Sequence, residues 1–172
     1  MAGKDHISMS LTTRFTINAR INQTDADDMG THIISETLGL TLTDGDGANE
    51  ADGLWVDNRT LADAATEELD FYDGTLTDAF GNSLVFATLK MIYVRNNSTD
   101  ANLEIGGAAS GALLLFDNTS DILALRPGGE FFMSAPNVTG IVTIGSPHLK
   151  MTHSGAGTSA LDYDIIVAGV LV

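Results

Sequence analysis

Side chains alternate between apolar and polar along residues 7–21, and this period of two constrains the fold more than any other feature of the sequence. Apolar residues occupy every odd position of the stretch except Thr13, and polar residues occupy the even positions. Such alternation is typical of a half-buried β-strand, because successive side chains point to opposite faces of a sheet. We therefore expect extended strand structure over residues 7–21.

Fifteen residues of strand reach about 50 Å, which is more than a small β-sandwich usually spans. The stretch is therefore expected either to bend into two strands near Thr13 or to extend as an arm onto a neighbouring molecule. A long strand inside its own fold is the simpler interpretation. Residues 22–32 are polar and are interpreted as a connection. We divide the chain into an N-terminal β arm or strand, residues 1–21, and a β-sandwich body, residues 22–172.

The rest of the chain consists of short apolar runs separated by turn signals, without a long helical period. Strands are predicted at 38–42, 54–61, 67–72, 102–106, 112–116, 122–125, 130–134, 140–144 and 148–153. Two further segments, 84–94 and 163–172, are apolar on both faces, which is typical of central strands. The sequence thus predicts a single-domain, all-β sandwich with a jelly-roll-like topology and an extended N-terminal strand or arm.

Charge restricts the classes of partner. The chain of 172 residues has a net charge of −15, so its body should repel nucleic-acid phosphates and anionic membranes. Residues 1–24 are the exception, because Lys4, Arg14 and Arg20 outnumber Asp5 and give this segment a net charge of +2. We expect the N-terminal segment to be attracted to an acidic surface, either on another copy of the chain or on a different protein.

Residues that would indicate catalysis are sparse. The chain has no cysteine, its four histidines lack the spacing of a helical zinc pair, and a Gly-X-Ser-X-Gly nucleophile motif is absent. The acidic loop 44–52 does not match an EF-hand, which leaves an irregular calcium site or a solvated loop as its interpretation. We predict no catalytic, cofactor-binding or metal-binding residues, and therefore no enzyme. The N-terminus lacks the apolar stretch of a signal peptide, so synthesis in the cytoplasm is expected.

A series of short motifs from Gly47 onward resembles a family of small structural proteins encoded by tailed bacteriophages. The motifs follow one another over about two thirds of the chain, at 47–52, 58–62, 76–82, 86–96, 105–109, 126–129, 135–136 and 154–159. Within this family the resemblance is to head decoration, or cement, proteins. It implies a jelly-roll-like subunit that sits on the outside of the capsid, and it supplies no catalytic residues.

The resemblance implies partners as well as a location. A decoration protein binds the major capsid protein and itself, and we expect a homotrimer, although a twofold dimer would use the same chemistry. A tail-associated or receptor-binding module of the virion is the alternative. The N-terminal segment is the expected partner interface, pairing with the sheet edge of a neighbour by strand addition. Its predicted contact residues are Ile7, Met9, Leu11, Arg14, Phe15, Ile17 and Arg20.

Overall fold

The computed structural model describes residues 12–24, 31–145, 147–155 and 159–172, and every regular element in these ranges is a β-strand. No helix long and apolar enough to span a membrane occurs in them. The strands are β1 (Thr13–Thr24), β2 (Thr31–Leu42), β3 (Gly53–Leu61), β4 (Thr66–Asp70), β5 (Leu76–Thr77), β6 (Ser83–Leu84), β7 (Phe86–Asn96), β8 (Leu103–Gly106), β9 (Ile122–Leu125), β10 (Glu130–Ser134), β11 (Ile141–Val142), β12 (His148–His153) and β13 (Leu161–Leu171).

Two antiparallel sheets form the body. The larger has the order β10-β7-β13-β3, with the short β11 paired to β7 beyond the end of β10, and the smaller has the order β4-β12-β8-β9. The predicted all-β sandwich is confirmed, and its jelly-roll topology stays a prediction. The prediction of a strand over 112–116 was wrong, because only Ala112 forms a bridge there. Residues 22–32 are not simply a connection, since β1 runs to Thr24 and β2 begins at Thr31.

The two segments predicted to be central strands do occupy the centre of the larger sheet, as β7 and β13. Their inward side chains, among them Ile92, Val94, Tyr163 and Ile165, are fully buried against the smaller sheet. Burying this apolar surface is the main favourable term in folding, at about 25 cal/mol per Å². The hydrophobic core therefore lies between the two sheets, and these two strands supply its middle.

The pairing of β7 with β13 contains a β-bulge at Lys90, because Ala168 faces Met91 while Gly169 faces Leu89. Gly169 is required there, since an added Cβ would collide with the Thr88 carbonyl. A bulge bends its strand and increases the local twist. The bulged Lys90 is buried, and its ammonium donates to the carbonyls of loop residues 137 and 138.

One end of the sandwich is joined by a polar network between β3, β4 and β13. The guanidinium of Arg59 donates to Glu67 through Nε and Nη2 and to Asp57 through Nη1. The Oη of Tyr163 donates to the other oxygen of Glu67 at 2.8 Å. Burial, together with the charge of Glu67, raises the pKa of the Tyr163 phenol, so it remains a donor. Glu67 thus links the two sheets through both of its oxygens.

We expect Tyr163→Phe to lower the free energy of unfolding by about 1–2 kcal/mol, because it removes a buried donor and leaves one Glu67 oxygen without its partner. Urea denaturation at neutral pH measures this. Tyr72→Phe is the matched control: Tyr72 is 37% exposed, so the same change should shift stability by less than about 0.5 kcal/mol. Equal effects of the two substitutions would contradict a linking role for Tyr163.

His148 connects β12 with two other segments of the chain. Its Nε2 lies 3.0 Å from the Oδ2 of Asp70, and its Nδ1 lies 2.9 Å from the carbonyl oxygen of Ser110. Both partners are acceptors, so both bonds form only when the imidazole carries two protons. The Ser110 carbonyl has the largest effect and raises the pKa of His148; burial opposes it, and the Asp70 carboxylate adds to the increase.

This raised pKa predicts a pH-dependent contribution to stability. The contribution is fully present below the unfolded-state pKa of about 6.5 and is lost as pH rises through the higher folded-state pKa. The difference in unfolding free energy between the wild type and His148→Gln should therefore shrink between pH 5.5 and pH 8.5. Because the wild type and the variant contain the same carboxylates, the effect of carboxylate titration on stability cancels when one unfolding free energy is subtracted from the other. A constant difference across this range would contradict the double-donor geometry.

Candidate functional site

Strands β1 and β2 form a long hairpin that stands apart from both main sheets. They pair in register from Thr13 opposite Leu42 to Thr24 opposite Thr31, and in the described part of the chain neither strand pairs with any other. Twelve residue pairs span about 40 Å. An isolated two-stranded hairpin is at best marginally stable in water, so this one requires contacts to other surfaces.

One face of the hairpin is predominantly apolar by position. In an antiparallel pair, residues directly opposite each other share a face, and the register places Phe15 opposite Leu40 and Ile17 opposite Leu38. Farther along the same face, Ile21 is opposite Ile34. The period-two pattern seen in the sequence thus becomes an apolar row that two strands contribute jointly.

The base of the hairpin packs on the outer face of the larger sheet. The ring of Phe15 stacks on Phe132 of β10, with 3.8 Å between ring centroids and 5° between planes, and lies 6.0 Å from the ring of Tyr93. Leu42 is completely buried in the same cluster. The other members of this outer cluster are Leu40, Ala51, Leu54, Met91, Ile166 and Ala168. The chain therefore has a second, smaller core outside the sandwich.

Two apolar residues near the base are exposed. Ile17 follows Phe15 on the same face of the hairpin and is 47% exposed. On the outer face of the larger sheet, Val56 is 61% exposed beside the outer cluster. Ile17 is therefore an apolar position of the hairpin that the packing of Phe15 and Leu42 leaves exposed.

The predicted interface residues have different outcomes. Ile7, Met9 and Leu11 lie outside the described residues. Phe15 is used internally, on Phe132, whereas Arg14 and Ile17 are exposed. Arg20 occupies a register position opposite Ser35. The partner interface stays a prediction. Strand addition to β1 would need a free edge, and β2 already pairs with one of its two edges.

Sequence reasoning missed the residues that hold the hairpin on the body. Phe132 and Tyr93 lie on strands that were predicted, but their outward side chains were not assigned a partner. The sequence did contain an indication of this contact. Segment 84–94 is apolar on both faces, so other parts of the chain must pack on both faces. The hairpin that covers the outer face was not predicted, because the polar residues 22–32 were interpreted as a connection rather than as the end of a hairpin.

Charge also separates the hairpin from the body. The strands β1 and β2 contain Arg14, Arg20 and Glu36, a net charge of +1, whereas residues 43–172 contain 18 acidic and five basic side chains, a net charge of −13. The sequence between the two strands adds Asp25, Asp27 and Asp28, so residues 13–42 together have a net charge of −2. The two paired strands are therefore less acidic than the body, although their connection is not.

Groups that support catalysis or metal binding do not converge in the described residues. No cluster of three or more His, Asp or Glu side chains there is arranged to hold a metal ion. In the acidic loop, the carboxylate of Glu50 accepts the N–H of Gly47 at 2.8 Å. His153 is buried, with Nε2 bonded to the Ser159 carbonyl and Nδ1 accepting the Gly155 N–H. Its ring nitrogens, like those of His148, are occupied by protein groups.

Comparison with known proteins gives no family. No protein-family model and no curated protein matches the chain. A solved structure of IMPa from Pseudomonas aeruginosa in complex with an O-glycopeptide is similar over 72% of this chain, with 14% identity and a TM-score of 0.36. The match covers 13% of the IMPa chain, so the present chain spans a small part of its length. At this level of similarity the match carries no argument about function.

We expect Phe15→Ala to release the hairpin while the sandwich stays folded, because the stack on Phe132 is a main contact of the hairpin base and the core between the sheets does not include it. Hydrogen exchange measured by mass spectrometry should show faster exchange at the amides of β1 and β2. Exchange in β7 and β13 should be unchanged. Ile17→Ala is the control with little expected effect. Loss of protection throughout the chain would contradict an independent hairpin.

Proposed function

We propose that the chain is a virion structural protein of a tailed bacteriophage, a head decoration protein that binds the outer surface of the major capsid lattice. In this role it bridges neighbouring capsomers and stabilises the head without chemistry of its own. It is made in the host cytoplasm and resides on the exterior of the capsid. The observation that supports the proposal best is a folded sandwich with a separate 12-pair hairpin, on which Ile17, next after Phe15 on the same face, is exposed.

The physical task of a decoration protein is to add buried area across boundaries between subunits. Each copy contributes a modest interface, and many copies act together through avidity. A long hairpin on a folded body suits this task, because the body covers one subunit while the part of the hairpin beyond its packed base, less than its full length of about 40 Å, contacts the next. Covering the apolar row of the hairpin supplies affinity, and its period of two fixes the register.

The self-association expected of such a protein uses the same surface. We propose a homotrimer, since positions where three capsomers meet favour threefold symmetry. Arg14 and Arg20 give the paired strands, apart from their acidic connection, a net charge of +1, and these strands are attracted to a body of net charge −13. Contacts between copies would therefore be stabilised at low salt and weakened by screening.

Co-sedimentation with capsids from the source of the protein tests the proposal, together with the solution mass by light scattering. The wild type should be an oligomer that pellets with capsids. Ile17→Asp should weaken capsid binding at least about tenfold, because it places a charge at the exposed apolar position that follows Phe15 on the hairpin. Ile122→Asp is the matched control: Ile122 is 52% exposed and lies on β9 of the smaller sheet.

The possible outcomes test two claims separately: that the hairpin contacts the capsid, and that the protein is a decoration protein. Equal pelleting of the Ile17 and Ile122 variants would show that the hairpin is not the contact. A wild-type monomer that stays in the supernatant would overturn the decoration role. Binding to glycans or to host cells would then be measured instead, as expected of a receptor-binding module.

A further inference from the structure

A cavity of about 330 Å³ lies where the start of β3, the end of β13 and the β5–β6 hairpin meet. Its wall is mostly apolar and is formed by Leu54, Leu84, Leu171 and Phe80. Two carboxylates, Asp52 and Asp78, also line it. Leu54 also belongs to the outer cluster, and Leu84 and Leu171 pack in or on the core, so the cavity lies at the edge of both. The proposed capsid contact does not use it.

The Asp78 side of the cavity is held by a tight turn. Oδ1 of Asp78 accepts the backbone N–H groups of Phe80 and Asn82, both at 2.8 Å, and Oδ2 accepts the side-chain amide of Asn82 at 2.9 Å. The Asn82 side chain, followed by these backbone groups, lowers the pKa of Asp78, so the carboxylate stays charged. The same turn presents the ring of Phe80, which is 77% exposed. The ring is therefore available to contact an apolar group that enters the cavity.

The Asp52 side has an uncommitted acceptor. Oδ1 of Asp52 accepts the N–H of Leu171 at 2.7 Å, whereas Oδ2 accepts no hydrogen bond from the residues that the structure describes. Burial raises the pKa of Asp52, as do the neighbouring charges of Asp44 and Asp46, against the lowering effect of the Leu171 amide. The carboxylate is thus partly desolvated among other negative charges, and none of the residues lining the cavity is basic.

We propose that this cavity binds a lysine side chain presented by a partner protein. The ammonium group lies between the carboxylates of Asp52 and Asp78, and the aliphatic stem packs on Leu84, Leu171 and the Phe80 ring. A cation near an aromatic face and close to carboxylates is stabilised by both. The volume of the cavity is at the lower end of ligand sites, which fits one long side chain. This inference does not rest on the decoration role.

Lysine suits the cavity better than arginine does. A guanidinium binds best when one carboxylate offers two free oxygens in its plane, whereas an ammonium is a compact charge with three freely rotating donors. Oδ2 of Asp52 is uncommitted, and Oδ2 of Asp78 accepts a single bond and keeps a second lone pair. The free acceptor sites are therefore single oxygens on two residues, which suits an ammonium better than a planar guanidinium.

Titration of the full-length protein with Nα-acetyl-lysine N-methylamide, followed by NMR chemical shifts, tests the proposal. The shifts should saturate and concentrate at residues 52–54, 78–84 and 171. Asp52→Asn should weaken binding about tenfold. Asp46→Asn is the matched control, because it removes the same charge from the same acidic loop but lies off the cavity wall, so its effect should be less than about twofold. Acetylating the ε-amine of the probe should abolish binding.

Each remaining outcome overturns a defined part of the proposal. Equal losses in the Asp52 and Asp46 variants would show diffuse attraction to an acidic surface rather than a site. Equal binding of the acetylated probe would show an apolar pocket without charge recognition. Spermidine binding at least tenfold tighter than the lysine derivative would identify a free polyamine as the ligand. Since none of these measurements involves capsids, their failure is distinguishable from failure of the decoration role.

Discussion

The pairing of β7 with β13 is the interaction on which the rest of the structure depends. Both strands are apolar on both faces, so the sheet they form must be covered on both sides. The smaller sheet covers the inner side, where Ile92 and Ile165 are fully buried. The outer side is covered in part by Phe15 and Leu42 of the hairpin. The hairpin therefore supplies part of the cover for the outer face of the central strands and is also a candidate interface.

Most of the body was predictable from the sequence, because local patterns determine it. The bounds of β9, β10 and β12 match the predicted ranges, since turn signals flank each of them. The centre of the larger sheet was predictable because only a doubly covered strand tolerates apolar side chains on both faces. The prediction of a strand at 112–116 was wrong for a related reason. Its leucines are apolar without alternation, and Leu113 and Leu115 are buried by tertiary contacts rather than by strand pairing.

The candidate sites were less predictable, because they depend on contacts between distant segments. The alternation of residues 7–21 indicated a strand but not its partner, and β2 was recognised only over its last five residues. Nothing local to Phe15 indicates Phe132, which is more than a hundred positions away. The cavity beside Asp52 also combines three segments, and Asp78 appears in the sequence as an ordinary turn residue. A sequence pattern predicts which face of a strand is apolar. It does not predict which distant residues that face contacts, and a site depends on those contacts.

The distribution of charge shows how one chain can combine solubility with assembly. A body of net charge −13 repels other copies at short range, and at moderate salt this repulsion is largely screened beyond about 10 Å. Association then requires short-range contacts that overcome the repulsion: an apolar row on a nearly neutral hairpin, or a cation that enters an acidic cavity. Both features lie at the ends or outer face of the larger sheet. The acidic body thus selects for partners that supply apolar surface or positive charge at defined positions.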